Sequence, residues 1–214
     1  MNKQLFLFFI SIVISGRLWS QSNNISSFIP KDYDTLAVAK GDLNNDGVED
    51  YILALNHQSE KKEGQNDDSI PPRLLIIVLR TAKGYIQAER SSNALLCKDC
   101  GGVFGDPFQG IEIKENVLNI YHYGGSAWRW SYTHKFRFQN NHWYLIGQTI
   151  NSYWCVKHCD KLDDFAGTNN EDINFITGHY EVRKVSENCK LLINKKGKKK
   201  IQPLLALNKF SIEQ

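Results

Sequence analysis

The chain has 214 residues, of which 42% are hydrophobic and 12% aromatic, and a formal net charge of +3. This is the composition of a folded globular protein and excludes a disordered one. The weak positive charge lends no support to a nucleic-acid partner.

The first element predicted is a leader. Lys3 precedes an apolar run from Leu5 to Ile14, and polar residues from Ser20 to Asn24 follow. This is the layout of a secretory signal peptide over residues 1–20, and the run is shorter than the ~20 residues a membrane-spanning helix needs. Leu18 and Trp19 make an imperfect cleavage site, which keeps an uncleaved anchor as the alternative. Export to the periplasm or the extracellular space is therefore expected, with no stable membrane span after cleavage. The remaining residues, about 190, suffice for one core or for two small packed sheets.

Beyond the leader the chain reads as all-β, because apolar residues recur with period two between closely spaced turn residues. Leu36 and Val38 alternate through Thr35 to Lys40, and Tyr51 to Leu55 is again strand-like. The polar segment His57 to Pro72 is expected as an exposed loop. Arg73 to Arg80 then turns at Lys83-Gly84 into Tyr85 to Glu89. Its run Leu74 to Leu79 is apolar on both faces, which predicts a central strand covered from both sides.

Ile111 to Lys114 turns at Glu115-Asn116 into Val117 to Tyr123. In Trp128 to Phe138 the even-numbered positions Trp128, Trp130, Tyr132, His134, Phe136 and Phe138 share a core face, and the strand turns at Asn140-Asn141 into Trp143 to Ile150. Later strands are expected around Ile173 to Ile176, His179 to Val185, Leu191 to Ile193 and Ile201 to Leu207, with Lys195 to Lys200 as a solvated turn. The predicted architecture is an antiparallel meander of hairpins forming one or two propeller-blade-like sheets. Residues 21–156 make the β-meander domain, and 157–214 supply C-terminal strands packed on it.

The segment Asp42-Leu43-Asn44-Asn45-Asp46-Gly47-Val48-Glu49-Asp50 places oxygen donors at alternate positions of a tight loop. Calcium is a hard cation that takes six to eight oxygens, and Gly47 permits the sharp bend. The candidate ligands are the side chains of Asp42, Asn44, Asp46 and Asp50 and the backbone carbonyl of Val48. Leu53 stands where an EF-hand needs a bidentate Glu, which excludes that loop type.

These residues, set between two strands, resemble the calcium loop of FG-GAP and VCBS repeats, whose pattern Asp-x-Asn-x-Asp-Gly-x-x-Asp is met from Asp42 to Asp50. The resemblance implies a blade-like sheet braced by a structural calcium ion, and a role in extracellular recognition. The motif occurs once, and Phe104-Gly105 lies downstream of the loop where the family's Phe-Gly element lies upstream. A closed propeller, which needs several such blades, is not expected.

Cys97, Cys100, Cys155, Cys159 and Cys189 all follow the leader, so disulfides are expected in an oxidising compartment. The expected bridges are Cys97 with Cys100, and Cys189 with either Cys155 or Cys159, leaving one thiol over. A redox role for Cys97 needs a helix amino terminus, which Gly101-Gly102 oppose. A zinc site from these cysteines with His158 has suitable ligands but unequal spacing.

Tyr121, Tyr123, Trp128 and Trp130 flank Gly124-Gly125 and form a possible surface for a glycan or a protein partner. His122 and Ser126 lie close in sequence but lack the strand-to-helix elbow of a serine nucleophile. The reading is an exported, calcium-braced binding or interaction module. The alternative is an exported hydrolase whose active site the sequence does not identify.

Overall fold

The computed structural model describes residues 21–61 and 70–212, and the predicted leader lies outside them. Among the described residues twelve strands form two antiparallel sheets. The first sheet contains β1 (Gln21–Ser22), β2 (Tyr33–Gly41), β3 (Asp50–His57), β4 (Leu74–Thr81) and β5 (Gly84–Ser91), in the order β1-β5-β4-β3-β2.

The second sheet is a seven-stranded meander in which sequence order is spatial order. Its strands are β6 (Phe108–Lys114), β7 (Val117–Gly125), β8 (Trp128–Gln139), β9 (His142–Cys159), β10 (Asp164–Asn174), β11 (His179–Val185) and β12 (Leu191–Lys198). Both sheets are open. Among the described residues the only helical elements are short 3-10 turns, and no helix is long and apolar enough to cross a membrane.

The tight turns follow from residue type. Glu115, Asn116, Asn140 and Asn141 all adopt positive φ, between 50° and 62°. Two consecutive left-handed residues match the twist of the flanking strands, which fixes the β6–β7 and β8–β9 registers. As expected, β4 is central and buried on both faces. Its Leu75, Ile77 and Leu79 enter the main core with Leu118, Ile120 and Phe136 of the second sheet, while Leu74, Ile76 and Val78 pack with Phe28 on the opposite side. The sheets meet where β2 approaches β6: a Cβ on Gly41 would lie 2.8 Å from the Ile113 side chain.

The carboxy-terminal strands continue the second sheet, because β9 runs unbroken through Val156 and pairs with β10. Three local expectations need correction. Lys195, Lys196 and Lys198 lie in β12, paired with β11 at the sheet's edge, and do not form a turn. Lysines suit an edge strand because their charge opposes addition of a further strand.

Ile201 to Leu207 is not a strand. It makes one bridge, Ala206 to Tyr144, and then delivers Leu207 and Phe210 into the main core. Filling the core from this end replaces strand pairing as the stabilising contact. On β8 only His134 and Phe136 of the expected core face are buried.

Candidate functional site

The Asp42–Asp50 loop joins β2 to β3 at the edge of the first sheet. Its geometry is set by side chains capping its own backbone. The Asp42 carboxylate accepts N–H donors from Asn45 at 2.7 Å and Gly47 at 2.9 Å. Asn44 donates to Asp46 at 2.9 Å, and the other Asp46 oxygen accepts from Val48 N–H at 2.8 Å. Asn45 and Gly47 have φ of 64° and 80°, the left-handed region that their residue types tolerate. The β6–β7 turn holds the loop from outside, as the Asn116 amide donates to the Asp42 carbonyl at 2.9 Å. Leu43 points into the core.

Asp50 differs from the other acidic residues in being fully buried, at 0% exposure. Its two carboxylate oxygens accept backbone N–H donors from Leu43 and Arg80, each at 3.0 Å, so it ties the loop to β4. Burial pushes its pKa up, with the Asp46 and Asp42 charges acting in the same direction and the two backbone donors opposing. None of Asp42, Asp46 and Asp50 forms a salt bridge with a basic side chain among the described residues.

Among those residues no group of three or more His, Cys, Asp and Glu side chains is placed to hold a metal. A cation here would therefore depend on amide and carbonyl oxygens beside the carboxylates. The available donors, Asp42, Asn44, Asp46 and the Val48 carbonyl, are all oxygens and suit a hard cation.

The four aromatic residues flanking Gly124-Gly125 do not form one surface. Directly paired residues on adjacent strands share a face. Tyr121 pairs with Thr133 and Tyr123 with Ser131, so both tyrosines lie on the outer face of the sheet. Trp128 and Trp130 belong to the opposite face. Trp130 stacks on Tyr132 at 4.8 Å and covers Gly124, where a Cβ would come within 2.5 Å of the indole. Trp128 is 43% exposed, stacks on Trp154 at 6.5 Å and lies against Gly167.

The outer face carries an aromatic group that sequence reading missed. The Cys97–Cys100 disulfide closes a turn, and the following segment docks on β7 through Gly125 N–H to Gly101 O and Tyr123 N–H to Pro107 O, both 2.9 Å. That docking sets Phe104 beside Tyr123, with ring centroids 5.4 Å apart, and Arg129 lies 4.0 Å over the Phe104 ring. Tyr153 on the neighbouring β9 stacks on Phe165 at 4.9 Å. Phe104 is 46% exposed. The available sequence signal was the alternation along β8, which puts Arg129 opposite in face to Trp128.

The second disulfide is Cys159–Cys189, and Cys155 is free and half-buried. No helix begins at Cys100, as Gly101-Gly102 implied. His158 hydrogen-bonds Asp160 at 2.9 Å, and Cys159 is bridged, so the zinc combination does not assemble. His122 is buried and accepts the Leu96 N–H through Nε2, and no hydrogen bond joins it to Ser126. Burial lowers its pKa to about 4, as it does for His134.

A further buried cluster was not legible in sequence. Arg73, 1% exposed, bonds Glu60 at 2.9 Å and Asp106 at 2.7 Å, joining β4 to the 58–61 turn and to the segment before β6.

No protein-family model matches the sequence, and no curated protein does. Among solved structures the chain is similar to the structure of a Xanthomonas Type IV Secretion System related protein, at 14% identity and a TM-score of 0.34. The match covers 73% of this chain and 58% of that one, so the chain spans less than two thirds of that structure's length.

Proposed function

We propose that the protein is an exported binding module whose Asp42–Asp50 loop holds a structural calcium ion. Two disulfides are compatible with an exported protein. The observation that carries the calcium reading is an all-oxygen loop with three carboxylates and no basic partner among the described residues, in which the Asp46 and Asp42 charges add to the burial that raises the Asp50 pKa. A bound dication would relieve that repulsion. The resemblance to the FG-GAP and VCBS loop supports the same reading. Because Asn116 ties the loop to the second sheet, an ion there would brace the junction of the two sheets. The partner-contacting surface in this reading is the outer face with the exposed Phe104 ring and the half-buried Tyr123 and Arg129 beside it, since aromatic rings and Arg suit a glycan or a protein contact.

Melting temperature in calcium and in excess chelator tests the ion. Calcium at a hundredfold excess over its Kd should stabilise by about 2.7 kcal/mol, and Asp46→Ala should melt identically in both conditions. Equal melting of the wild-type protein in calcium and chelator, with no metal on elemental analysis, refutes the calcium reading. A glycan array comparing wild type with Phe104→Ala tests the outer face.

A further inference from the structure

The carboxy-terminal segment encloses a cavity that belongs to neither feature above. Lys199 N–H donates to Gly178 O at 2.8 Å, and Leu145 N–H donates to Leu205 O at 2.8 Å. Between these two anchors residues 200–204 arch over the ends of β9 and β10. The cavity beneath the arch is half-open and holds about 380 Å³, within the range of small-molecule sites.

Its walls include Leu145, Ile173, Phe175, Leu204, Leu205 and Phe210. Leu145 and Phe210 are buried at its back. The frame is fixed by further backbone bonds, Phe175 N–H to Ile146 O at 2.9 Å and Gly178 N–H to Asn174 O at 2.8 Å. The pocket therefore exists before any ligand arrives.

The charge of the lining is one-signed. Lys199 and Lys200 are the charged residues of the lining, and no Asp or Glu belongs to it. The Lys199 ammonium lies 4.9 Å from the ring centroid of Tyr180 on β11. An apolar lining whose charged residues are both cationic is complementary to one kind of molecule: an apolar chain ending in an anion.

We propose that this cavity binds a single-chain anionic amphiphile of the fatty-carboxylate type, with the tail under the arch and the carboxylate at Lys199 and Lys200. The site is separate from the calcium loop, so the two readings stand or fall independently.

Displacement of dansylaminoundecanoate from the full chain by octanoate, decanoate and dodecanoate, each below its micellar concentration, provides the test. Each added methylene should tighten binding about fourfold until the cavity is full. Dodecanol should bind more weakly than dodecanoate. The Lys199→Gln/Lys200→Gln variant should lose that preference, whereas Lys195→Gln/Lys196→Gln, with the same change in net charge, should keep it.

Three results overturn the proposal: no displacement, affinity independent of chain length, or equal losses in the two double variants. Sedimentation with phosphatidylglycerol vesicles separates the two sources of such a chain. Binding to vesicles without displacement by monomeric carboxylates assigns the lysines to a membrane surface and refutes the free-amphiphile site.

Discussion

Acid should destabilise this fold through two histidines well before its carboxylates are protonated. His122 and His134 are 1% and 4% exposed, and the Nδ1 of each is buried without a hydrogen-bond partner. Burial lowers both to about 4. His122 is further depressed by His134 and Arg73, with Asp106 opposing. In the unfolded chain each returns to about 6.5.

The unfolded state therefore binds more protons between these values, and stability falls as pH drops from about 6.5 towards 4. The contribution is fully present above that window and lost below it. At pH 5 two histidines give a slope of about 2.4 kcal/mol per pH unit, and across the window about 6 kcal/mol is lost. That is comparable with the whole stability of many domains.

Urea midpoints measured from pH 7 to pH 4.5 give the slope directly. His134→Leu removes one titration and keeps an apolar contact for Phe210, so the slope should fall to about half. Wild-type stability that is flat between pH 6.5 and 5, or a slope unchanged in His134→Leu, refutes the reasoning. The raised Asp50 works in the opposite direction, because its folded pKa lies above the unfolded value and its contribution improves as pH falls.

Three other outcomes are expected. Glu60→Gln leaves Arg73 buried with one carboxylate partner and should cost about 3 kcal/mol, read as a fall of about 6–12 °C in Tm by scanning calorimetry. Ellman titration of the denatured, unreduced chain should find one thiol, Cys155, and loss of the Cys159–Cys189 bridge, with its sequence separation of 30, should destabilise by about 3–4 kcal/mol. Gly124→Ala should cost about 1–3 kcal/mol and alter tryptophan emission, since its Cβ would meet Trp130 at 2.5 Å and the Gly101 Cα at 2.9 Å.

What the sequence made legible was local. Asn140-Asn141 and Glu115-Asn116 encode their turns in residue type, and the two-faced apolar run of β4 encodes its central place. The Cys97–Cys100 bridge followed from spacing, while the choice of Cys159 over Cys155 for Cys189 needed the β9–β10 register, which only the folded sheet supplies.

Tyr121 and Trp130 looked like neighbours because they are close in the chain; the β7–β8 pairing sends them to opposite faces. Arg73, Glu60 and Asp106 come from three separate segments, and no spacing links them. Ile201 to Leu207 is apolar enough for a strand, yet it makes one bridge and only its last residue, Leu207, enters the core between the sheets. Of the loop, its bend at Gly47 was readable from sequence, whereas the burial of Asp50 beside the Arg80 amide was not.

The 18-residue strand β9 also sets how the chain can be divided. Its residues from Gly147 to Cys159 bond to β10 while those from His142 to Trp154 bond to β8, so the two partners overlap along its middle. A fragment cut at position 156 would sever this strand and strip β10 from it. A row of backbone donors and acceptors would then face solvent, a template for pairing with another chain. Shortened versions of the protein should therefore self-associate, and hydrogen exchange in β8 and β10 should proceed in one cooperative opening.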